Sequence, residues 1–72
     1  MLLFIQPASQ LQINSDKIIS SISIYTISGT NLLTLNEATD FHQISISALL
    51  PGCYVVQILI EDEVVVRNFL KL

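Results

Sequence analysis

The sequence predicts an all-β fold of about seven short strands, packed as a Greek-key sandwich of two sheets. Three observations carry that expectation. Apolar and polar residues alternate in almost every segment. Turn-forming punctuation returns roughly every eight to twelve residues, the rhythm of sandwiches and barrels. No window carries a convincing helical period, and no repeat, low-complexity stretch or linker interrupts the pattern.

Taken in order, Leu2 to Gln6 is a short apolar run stopped by Pro7. Leu11 and Ile13 alternate with Gln10, Gln12 and Asn14, as in a half-buried strand, and Asn14-Ser15-Asp16 is expected to turn. In the next strand Ile22 and Ile24 share one face, with Tyr25 and Ile27 on the other. Ser28-Gly29-Thr30-Asn31 is a strong hairpin signal, because Gly29 adopts positive φ without penalty, and Asn31 to Asn36 is the return strand. Glu37-Ala38-Thr39-Asp40 reads as a polar loop.

Gln43 to Ser47 alternates cleanly, with Ile44 and Ile46 inward and the serines outward. Ser47-Ala48-Leu49-Leu50 has room for one helical turn before Pro51 ends it, and Pro51-Gly52 suits the centre of a type II turn. Cys53 to Ile60 is the strongest strand. Tyr54, Val56, Ile58 and Ile60 share one face; Cys53, Val55, Gln57 and Leu59 share the other. Being apolar on both faces, it is expected at the centre of its sheet. Glu61-Asp62-Glu63 is a tight acidic turn, and Val64 to Lys71 is the last strand.

Composition bounds the function. The chain has 72 residues, which fits one domain, 1–72, of marginal size. It is 51% hydrophobic and 12% charged, which excludes a disordered segment. Net charge is −3, and only Lys17, Arg67 and Lys71 are basic, so no nucleic-acid surface is expected. No apolar run reaches the ~18 residues of a membrane helix, so no membrane insertion is expected. The apolar start Met1-Leu2-Leu3-Phe4-Ile5 lacks the basic region of a signal peptide. A protein working outside the cytoplasm would then carry this chain as part of a longer precursor.

Chemistry-bearing residues are few. His42 is the single histidine; a catalytic role needs a nucleophile and an orienting group beside it, and an exposed histidine at a strand start is the plainer expectation. Cys53 is alone, forms no internal disulfide, and reads as a small buried hydrophobe without a basic neighbour to activate it. Glu61, Asp62 and Glu63 cannot all converge on one ion from so short a turn, and read as a solvated hairpin tip. Phe4, Tyr25, Phe41, Tyr54 and Phe69 are spread one per segment, as core anchors are. No catalytic residue, metal or cofactor is expected, and the chain is expected not to be an enzyme.

Four blocks of residues resemble a known family. They are Gln6-Pro7-Ala8-Ser9 with Leu11-Gln12-Ile13; Ile22 to Gly29; Ile44 to Val56, with Pro51-Gly52-Cys53-Tyr54 inside it; and Val66-Arg67-Asn68-Phe69-Leu70-Lys71. In order and spacing they resemble the C-terminal sorting domains of the type IX (Por) secretion system of Bacteroidetes-type bacteria. The resemblance spans nearly the whole chain. It implies a seven-stranded immunoglobulin-like sandwich that is read in the periplasm by secretion-machinery proteins and then removed by a sortase-like peptidase. The cargo would be released outside the cell or attached to lipopolysaccharide at its surface. The chain would be that peptidase's substrate, not a catalyst.

By that resemblance Phe69, Leu70 and Lys71 are the expected recognition residues. Pro7, Ile24, Tyr25, Gly29, Pro51, Gly52 and Tyr54 are the structural signature. The alternative is a stand-alone immunoglobulin-like adhesion or protein-interaction module. It would cover its apolar edges by self-association as a homo-oligomer.

Overall fold

The computed structural model describes the backbone of Leu2–Ile5 and residues 9–72. Pro7 and the side chain of Phe4 lie outside the described residues. The described chain is all β, with no helix. Six strands form one antiparallel sheet: β1 Leu2–Ile5, β2 Gln10–Thr26, β3 Asn31–Leu35, β4 Thr39–Ser45, β5 Gly52–Ile60 and β6 Glu63–Lys71.

The strand count differs from the expected seven because two expected strands are one. The turn expected at Asn14-Ser15-Asp16 does not form; β2 runs through it for 17 residues. Those residues include neither Gly nor Pro, so nothing forces the backbone out of the extended region. The Ser15 hydroxyl accepts the Lys17 N–H at 3.0 Å without stopping the strand.

β2 changes partners along its length. Gln10 to Asn14 pairs with β4, and Gln12 to Ser15 with β1. From Ile19 onward it pairs with β5, and Ile22 to Tyr25 also with β3. Ile19 is the pivot, opposite Thr39 of β4 on one side and Ile60 of β5 on the other.

A bulge at this pivot also switches faces. Ile19 faces Ile60 and Ser21 faces Leu59, so β2 uses one extra residue where β5 uses none. Side chains alternate with period two, and a one-residue insertion exchanges the two faces. The buried residues are accordingly Leu11, Ile13 and Ile19 before the bulge, and Ile22 and Ile24 after it. Both halves of β2 thereby feed one core, completed by Ile44, Ile46, Tyr54, Val56, Ile58, Ile60 and Phe69.

The turns show where local chemistry decides. After β2 the Gly29 N–H donates to the Thr26 carbonyl at 3.0 Å, and Gly29 takes φ 98°, where only glycine is unstrained. The turn centres on Ile27-Ser28-Gly29, one residue earlier than expected, and leaves Ile27 out of β2. The amide of Asn31 lies 3.3–3.4 Å from the carbonyls of Ile24 and Leu33, bracing the register shift beside Tyr25. Ser47 to Leu50, which has room for one helical turn, forms a β-turn instead, closed by the Leu49 N–H on the Ile46 carbonyl at 3.0 Å. Gly52 has φ 152°, positive but far from the ~80° of a type II turn, and it opens β5 directly. β5 does sit between two neighbours, β2 and β6.

The acidic turn is a two-residue loop, Glu61-Asp62, with Glu63 already paired to Ile60. Glu61 has φ 54°, a left-handed conformation that costs a non-glycine residue about 1–2 kcal/mol. Glu61→Gly is therefore expected to raise stability by about 0.5–1 kcal/mol, a rise of a few degrees in the thermal midpoint. Ile19→Ala, at the buried pivot, is expected to cost about 2–5 kcal/mol in a denaturant titration, enough to unfold a domain this small.

Candidate functional site

The single histidine and the single cysteine stand on different strands, β4 and β5. His42 is buried, at 5% exposure, and not exposed as the sequence suggests. The reason is the start of β4: pairing begins at Thr39, and from there alternation puts His42 on the same inward face as Ile44. Its Nε2 has no hydrogen-bond partner among the described residues. Cys53 departs in the opposite direction and is exposed, because Tyr54 takes the inward position and Cys53 falls on the outer face. Among the described residues no group of three His, Cys, Asp or Glu side chains could hold a metal ion. No described helix is long and apolar enough to cross a membrane.

The aromatics divide as well. Tyr54 and Phe69 are core residues, Tyr25 is half-buried and Phe41 is exposed, so only part of the set anchors the core. Phe41 alternates outward from His42, and Tyr25 shares the outer face with Val55.

What the structure does build is the β5–β6 end of the sheet. Tyr54 and Phe69 are opposite each other in register, their rings stacked with centroids 5.4 Å apart and planes at 22°. A pair of this kind adds about 0.5–1.5 kcal/mol beyond its buried area. The Tyr54 hydroxyl donates to the Leu50 carbonyl, four residues upstream. That bond ties the segment just before Pro51-Gly52 to the core ring of Tyr54. Sequence reasoning missed the Leu50 carbonyl, because a backbone acceptor leaves no mark on residue identity.

The other signature residues are scattered. Ile24 is in the core, Gly29 is in the β2–β3 turn, and Pro51 is exposed before β5. The three expected recognition residues are neighbours on β6 with different environments. Phe69 is buried, Leu70 is 51% exposed on the outer face, and Lys71 is half-buried.

Among the described strands, β6 pairs with β5. Its outer face presents Val64, Val66 and Leu70, each about half exposed. An open apolar depression of about 440 Å³ lies beside it, between Ile27, Cys53, Val55 and Leu70. Exposed apolar side chains and this depression thus lie together on the outer side of β5 and β6.

Two substitutions separate the roles of buried groups. Tyr54→Phe keeps the stacked ring and removes the bond to Leu50; a loss of about 1–2 kcal/mol is expected on urea unfolding. His42→Leu removes a buried polar atom without a partner, and a thermal midpoint higher by a few degrees is expected, equivalent to about 1 kcal/mol.

No curated protein matches the chain significantly. The profile of one protein family does, described as the secretion system C-terminal sorting domain, over residues 7–71. That match takes in the corner, the stacked pair and the terminal strand together. Domains of this family are sorting signals that engage the secretion machinery and direct export to the cell surface or extracellular space, and the family is not an enzyme class. The chain belongs to the C-terminal sorting domain family of the type IX secretion system.

Proposed function

We propose that residues 1–72 act as one sorting-type domain with an immunoglobulin-like sandwich arrangement, read through the outer side of β6. The reading is supported by the bulge in β2: counted as two segments either side of it, β2 brings the number of strand segments in the sheet to seven. The Tyr54–Leu50 bond at the entry to β5 is similar to the tyrosine corner of immunoglobulin-like domains. In this reading the domain is engaged during periplasmic transit and a sortase-like peptidase then removes it. The domain itself is not catalytic.

One observation carries the reading of β6. The terminal block of the family match lies on an edge strand where Phe69 is locked into the core while Leu70 is left at the surface. An anchored strand with alternate side chains exposed offers those side chains as a surface for a partner to read. Phe69 is therefore assigned to holding β6 in place, and Leu70 and Lys71 to being read. The alternative of a free-standing adhesion module is weaker, because the family match already accounts for residues 7–71.

The test is an exported reporter fused ahead of residues 1–72, in a host with a working type IX system. Leu70→Ser with Lys71→Ala is expected to leave the β-sheet circular dichroism and thermal midpoint nearly unchanged. Secretion is expected to fall about tenfold or more, the effect of about 1.4 kcal/mol of lost recognition. Undiminished secretion by that folded variant would sink the assignment. Deleting Phe69 to Leu72 is a poorer test, since it also empties the core.

A further inference from the structure

The edges of this sheet are unequally protected. β3 is five residues long, and β4 carries Asp40, Gln43 and Ser45 at exposed positions. β6 is nine residues long and begins Glu63-Val64-Val65-Val66-Arg67. Long apolar edges readily add another strand, and natural edges are usually interrupted by charge.

The hairpin determines which groups β6 offers. Ile60 and Glu63 flank a two-residue loop and are paired, so the backbone groups of Glu63, Val65 and Arg67 are directed at β5. Those of Val64 and Val66 are then directed at the open edge. The Arg67 guanidinium fits this, donating to the Val66 carbonyl at 3.0 Å.

The charges of the segment are self-complementary. Glu63 and Arg67 lie four residues apart, on one side of the strand, and both are exposed. That spacing is too long for them to meet within one strand. In an antiparallel pair centred on Val65, however, Glu63 of each copy stands opposite Arg67 of the other. Val64 then faces Val66 through mutual backbone bonds, and Val65 faces Val65. A register centred on Arg67 would bring the two guanidinium groups together instead, and like charges directly opposed are unfavourable.

We propose that β6 pairs with β6 of a second copy of this chain, antiparallel and centred on Val65, with two reciprocal Glu63–Arg67 ion pairs. In forming the dimer Arg67 releases its own Val66 carbonyl to the incoming Val64 N–H and takes the second copy's Glu63. The interface is isologous and closes at two copies. It goes beyond the sorting role and requires only this chain. Residues 68–72 run past the second copy's hairpin tip and take no part in this pairing. Because the paired stretch is short, the dimer is weak, with Kd on the order of 100 µM.

Sedimentation equilibrium of the full chain, at concentrations up to about 2 mM, tests this. The weight-average mass is expected to rise from 8.0 kDa toward twice that value. Arg67→Glu is expected to weaken association about tenfold, and Glu63→Arg combined with Arg67→Glu to restore it to within about threefold. Circular dichroism of each variant checks that it is folded. A monomer at every concentration overturns the proposal, as does a single reversal without effect or a double reversal without rescue. The last outcome would indicate another register. None of these touches the sorting role, which is read separately by reporter secretion.

Discussion

The fold depends on one strand staying continuous through a change of partners. β1, β3, β4 and β5 all pair with β2, and β6 is joined to it through β5. For β2 to serve four neighbours its backbone must remain extended from Gln10 to Thr26, and its inward face must follow the core as the chain passes from one set of partners to the other. The bulge after Ile19 meets both demands with a single extra residue. Without it, Ile22 and Ile24 would point to solvent and Ser21 and Ser23 inward. Because the contacts of β2 join distant parts of the chain, its pairing is costly to form and cooperative once formed.

Much of this was legible in the residues, and the parts that were not have physical causes. The alternation in β5 and β6, the Gly29 turn and the acidic hairpin tip are local signals, and local signals survive in sequence. The course of β2 is not local. Asn14-Ser15-Asp16 favours a turn in isolation, but pairing on both sides of β2 satisfies more backbone groups than a turn would. His42 and Cys53 were misplaced for a related reason. Each stands at the margin of an alternating run, where inside and outside depend on which residue starts the strand. The sorting role was legible through resemblance of residue blocks. The division of labour between Phe69 and Leu70 was not, since it needs the face of β6 that meets the core.

The family match places the chain among sorting signals, whose information is carried by a shape that another protein reads. The features that matter are a corner tied by Tyr54, a stacked pair and an edge. All three rely on backbone geometry, so side-chain identity is tightly specified at only a few positions. Gly29 and Gly52 hold φ values that other residues rarely adopt.

The stacked pair of Tyr54 and Phe69 has a further consequence for dynamics. Among the described strands β6 is laddered to β5 alone, and Phe69 is its one buried side chain. Releasing that ring would let the strand peel away while the ladders between β2 and its four neighbours stay closed. Local opening of this kind has its own free energy, lower than that of global unfolding, and is visible as faster amide exchange along the affected strand. Phe69 thus behaves as a latch on a separable flap, and its grip sets how often that flap is presented loose from a still-folded body.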